Sequence, residues 1–85
     1  MGYRLEIHET EDGFGYTGDT LLGDNLDIGQ AIEVAKTALK NPEFTSPWKH
    51  LRHRLIVCKD GQWVFTATMQ RLKEDDLVNK FMESK

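Results

Sequence analysis

Two Asp-Gly pairs, Asp12-Gly13 and Asp60-Gly61, each stand between short runs in which apolar and polar residues alternate. Asp-Gly readily adopts the positive φ angles of a tight turn, and alternation at period two marks a strand with one buried face. Each pair therefore predicts a β-hairpin. Before the first turn, Tyr3, Leu5 and Ile7 alternate with Arg4, Glu6 and His8; after it, Phe14 and Tyr16 alternate with Gly15 and Thr17. Before the second, Leu51, His53, Leu55 and Val57 share one face, and Arg52, Arg54, Ile56 and Cys58 the other. Strict alternation beyond that turn puts Trp63, Phe65, Ala67 and Met69 on the core side and Val64, Thr66, Thr68 and Gln70 on the other.

Each hairpin is followed by a helical pattern. Asp27 and Gln30 have the spacing of a capping box, and Ile28, Ile32, Ala35 and Leu39 recur at helical intervals with Ala31 and Ala38 beside them. Lys36 and Lys40 suit the negative end of that helix, and Asn41-Pro42 stops it. The second helix opens on Glu74, Asp75 and Asp76, which favour the positive helix end, and carries the apolar stripe Leu77, Val78, Phe81 and Met82. Residues 18–25, rich in Gly, Asp and Asn, read as loop.

The chain of 85 residues is thus expected to be one domain, with halves 1–41 and 48–85 joined by loop 42–47. The halves superpose as a pseudo-repeat: Arg4-Leu5-Glu6-Ile7 matches Arg54-Leu55-Ile56-Val57, and Tyr16-Thr17 matches Phe65-Thr66. The fold class is α+β, in ββαββα order: a four-stranded antiparallel sheet with two helices on one face. Its open face is expected to carry Arg4, Glu6, His8, Arg52, Arg54, Ile56, Val64, Thr66, Thr68 and Gln70, without an aromatic residue.

Charge is unevenly placed. Residues 1–47 hold three bases against nine acids, residues 48–85 eight against five, and the chain carries −3. No Lys or Arg lies between Leu5 and Ala35. Such polarity steers charged partners, or the two halves balance each other within the fold. No apolar run approaches the ~18 residues of a membrane helix. The segment Met1–Glu6 has the pattern of neither a signal peptide nor a myristoylation site. Cys58 is the only cysteine, which excludes an internal disulfide and fits a reducing cytoplasm.

The chemical motifs are weak. Gly13 to Gly18 spells G-x-G-x-x-G, but across a turn and a strand, whereas a dinucleotide loop must run into a helix. Asp19, Asp24 and Asp27 lack the spacing of a calcium loop. His53 has inward parity, while His8 and His50 are expected in solvent at strand ends; with Cys58 they form no recognisable zinc spacing. Neither metal nor cofactor is expected.

The leading expectation is a non-enzymatic protein-binding module, a small regulator or inhibitor. The analogy, in size and charge alone, is with small phage and mobile-element inhibitors. Glu9, Glu11, Asp12, Asp19 and Asp24 would meet a basic groove on the partner. The alternative is nucleic-acid binding through Arg4, Lys49, Arg52, Arg54, Thr66 and Thr68, with Trp48 nearby. RNA-recognition modules share the open-sheet layout but stack bases on exposed aromatics, which the expected face lacks. A third expectation is a small enzyme or accessory subunit using Cys58 or His8. Edge strands offer a route to homodimers.

Overall fold

The computed structural model describes residues 2–45 and 50–84. Its elements are β1 (Tyr3–Glu11), β2 (Gly15–Leu26), α1 (Ile28–Leu39), α2 (Pro42–Thr45), β3 (Leu51–Lys59), β4 (Gln62–Thr68) and α3 (Glu74–Glu83). The four strands form one antiparallel sheet in the order β2-β1-β3-β4. This is the expected α+β fold in ββαββα order, except that residues 42–45 of the expected loop 42–47 form the short helix α2, which buries Phe44.

Both hairpins form at the Asp-Gly pairs. Asp60 and Gly61 take φ values of 51° and 83° and join β3 to β4 in two residues, the geometry of a type I′ turn. The first turn is one residue longer, with Glu11 paired to Gly15 and the Phe14 amide donating to the Glu11 carbonyl. The hairpins meet through β1 and β3, where Leu5 faces Val57, Glu6 faces Ile56 and Ile7 faces Leu55. A local two-fold axis between Glu6 and Ile56 would generate this register. It relates Leu5 to Leu55 and Ile7 to Val57, the correspondence seen in the sequence.

Residues 18–25 are strand, not loop. Glycine, Asp and Asn disfavour a strand locally, but here β1 offers a continuous ladder and Leu22 and Leu26 pack against the core. The glycines fall at the irregularities: Gly18 faces Glu9 beside one register shift, and Gly23 faces Leu5 between two others.

The core lies between the sheet and the helices. Tyr3, Leu5, Ile7, Leu55 and Val57 supply its sheet side; Ala31, Ala35, Ala38, Leu77 and Phe81 supply its helix side. The alanines are the deepest residues of α1 and let its backbone approach closely, while Ile28, Ile32 and Leu39 flank them half-buried. Phe81 anchors α3, with its ring edge-to-face against Tyr3 at 5.7 Å and Phe65 at 5.0 Å. At the start of α1 the Asp27 carboxylate accepts from the Gln30 amide at 2.8 Å, and the Gln30 side chain accepts from the Asp27 amide at 3.0 Å. Asn41 caps α2 through the Glu43 amide, and Pro42 takes the first helical position, where its missing N–H costs nothing. Among the described residues no helix is long and apolar enough to cross a membrane.

Candidate functional site

With the helices on one side, the other face of the sheet is open. Cross-strand partners share a face, so the ladders give its rows directly. One row is Asp19, His8, Arg54 and Thr68, and the next is Leu21, Glu6, Ile56 and Thr66. Tyr16, Thr10 and Arg52 form the row at one end; Arg4, Cys58 and Trp63 form the row at the other.

Trp63 is therefore on the open face, not in the core. Val57 pairs with Phe65 while Cys58 pairs with Trp63, so Val64 is the extra residue of a β-bulge. The bulge reverses the parity of the strand's first two residues, Gln62 and Trp63. Phe65 and Val64 pack towards the core, and Trp63 is left 70% exposed. Strict alternation had placed Val64 outside and Trp63 inside. A second bulge, at Thr17 on β2, follows Tyr16 in the same way and leaves it 60% exposed on this face. The two hairpins thus each present one aromatic ring, near opposite corners of the sheet. Leu21 adds 52% of its own surface, whereas Ile56 is buried at the centre beneath its neighbours.

The charges on this face are divided between its two sides. Asp19 and Asp24 lie on β2 and Arg52 and Arg54 on β3, with Arg4 and Glu6 on β1 between them. Arg4 bridges Glu6 at 3.4 Å and Asp24 at 3.3 Å, contacts that push its already high pKa further up. Arg52 reaches Asp12 at 3.6 Å. The nearby Asp19 carboxylate pushes the pKa of the Tyr16 phenol up, and the Tyr16 ring stands edge-on to His8 at 5.5 Å. His8 is thus half-buried in mid-strand rather than in solvent at a strand end.

The acids singled out in the sequence do not form one surface. Glu9 lies on the helix side, where its carboxylate accepts from the Thr17 hydroxyl at 2.7 Å and sits 3.2 Å from Nε2 of the buried His53. Those two contacts, the Thr17 hydroxyl first, hold its carboxyl below the ordinary value. Glu11 shares Glu9's side of β1, Asp12 belongs to the turn, and only Asp19 and Asp24 reach the open face. Arg4, Arg52, Arg54, Thr66 and Thr68 all share that face, while Lys49 and Trp48 lie outside the described residues.

Nucleophilic chemistry finds little support. Burial pushes the Cys58 thiol above its ordinary value, away from the thiolate that attacks, and its ladder neighbours are Arg4 and Trp63. The Gly13–Gly18 segment forms the first turn and the start of β2, with the rest of that strand separating it from α1. Parity alone misses Trp63; the signal that could have found it is an extra residue, visible only once the partner strand is in place. No family model matches the chain, and no curated protein or solved structure matches it significantly.

Proposed function

We propose that this chain is a non-enzymatic protein-binding module, a small regulator or inhibitor, that holds its partner on the open face of the sheet. The observation that carries this reading is Trp63, 70% exposed on a face that also presents Tyr16 and three arginines. Trp, Tyr and Arg dominate the energetics of protein interfaces, because they bury large areas and can still satisfy a polar group. The division of charge specifies the partner's chemistry. Its surface offers an apolar recess to Trp63, basic groups to Asp19 and Asp24, and acidic groups to Arg52 and Arg54. Glu9 and Glu11 stand outside this contact, and Asp12 meets it only through its ion pair with Arg52. The single free thiol suits a reducing, cytoplasmic setting.

The test is affinity capture from nuclease-treated lysate with the parent chain and with Trp63→Ala. One stoichiometric protein, retained by the parent and lost with Trp63→Ala, supports the reading. Equal capture by both chains removes the sheet face from it.

A second reading, nucleic-acid binding, draws on the same exposed rings, since bases stack on aromatic faces. Against it stands the balance of acids and bases on the face, when phosphate contacts dominate such affinity. Binding to mixed oligonucleotides with a steep salt dependence, abolished by Arg54→Glu, would favour this reading. Strand addition at β2 or β4, the sheet edges, is the competing route to a homodimer.

A further inference from the structure

We propose that Glu6, His8 and Asp19 form a binding site for a divalent transition-metal ion of the zinc class. The ligand atoms of the three side chains all lie within 4.8 Å of one another. The sheet itself produces this arrangement. Glu6 and His8 are two apart on β1 and share the open face, and Asp19 stands directly opposite His8 on β2. Zinc binds imidazole nitrogen and carboxylate oxygen at about 2.0–2.2 Å in tetrahedral geometry, so its ligand atoms lie about 3.4 Å apart. Rotation of the exposed Asp19 side chain towards the half-buried Glu6 and His8 closes the remaining difference. One nitrogen and two carboxylates match the charge and softness of zinc better than calcium or magnesium, which prefer oxygen alone.

Two of the three ligands are also oriented by a neighbour, as ligands of metal sites commonly are. Arg4 Nε holds the Glu6 carboxylate at 3.4 Å, and the Tyr16 ring packs edge-on to His8 at 5.5 Å. The ion's remaining positions face solvent. Arg4 and Arg54, the cross-strand partner of His8, place positive charge at the border, which weakens cation binding. The site does not depend on the docking reading and is tested on the chain alone; a partner that pairs a basic group with Asp19 competes with the ion.

The test is calorimetric titration of the untagged full chain with zinc chloride, with cobalt absorption as a second readout. One ion per chain is expected. His8→Ala and Asp19→Asn each weaken binding at least about tenfold, whereas His50→Ala leaves it unchanged. Circular dichroism establishes that each variant is folded, and the exposed Asp19→Asn serves if His8→Ala is not. Bound cobalt should give d–d bands that Asp19→Asn alters. Zinc binding of equal strength in Asp19→Asn and the parent, or none below millimolar metal, overturns the site.

Discussion

Trp63 stands directly opposite Cys58 across the β3–β4 ladder, while Phe65 stands opposite Val57, so the two aromatic residues of one strand face opposite sides of the sheet. Phe65 lies against Phe81 in the core, and Trp63 lies on the surface. A single bulged residue, Val64, separates a packing role from an exposed one.

Phe65→Ala and Trp63→Ala should therefore differ sharply. Removing Phe65 takes a ring from the core and should cost about 3 kcal/mol of stability. Removing Trp63 should change stability by no more than about 0.5 kcal/mol. Urea unfolding of the two variants measures this directly. Comparable losses from both would mean that Trp63 packs inside.

Stability should fall in acid partly through Glu9. Its folded pKa is depressed by the Thr17 hydroxyl and by His53, so the contribution is present above the unfolded value of about 4.3 and is lost as pH drops through the folded value. The side chain keeps 39% of its exposure, and water screens the effect. Glu9→Gln should be less stable than the parent at pH 7, with the gap closing towards pH 3. Denaturation curves that remain equally spaced at both pH values would assign the loss to packing.

Asp27→Ala removes the acceptor for the Gln30 amide and half of a reciprocal cap. The expected cost is about 1 kcal/mol, with most of it restored in Asp27→Ser, since a serine hydroxyl caps in the same way. Thermal unfolding of the two variants measures the difference. An equal loss of Tm in both would place the role of Asp27 elsewhere.

Much of the architecture is legible locally. The two Asp-Gly turns, the Asp27–Gln30 cap and the inward parity of Tyr3, Leu5, Ile7, His53, Leu55 and Val57 depend on residues a few positions apart, and the structure has them all. The symmetric pairing of Leu5 with Val57 and Ile7 with Leu55 agrees with the internal match of the two halves. Other features depend on residues distant in sequence. Residues 18–25 become strand because β1 is there to pair with them. The grouping of Glu6, His8 and Asp19, and the dispersal of the acids between two faces, arise from the same register.

Hydrophobic periodicity and turn chemistry act within a few residues, so the sequence by itself determined the hairpins, the two long helices and most of the residues that fill the core, but not the short α2 with its buried Phe44. A bulge is a mismatch between two strands and has no meaning in either strand alone. Only the tertiary structure could therefore decide that Trp63 faces outward with Tyr16, and so which face of the sheet is available to a partner.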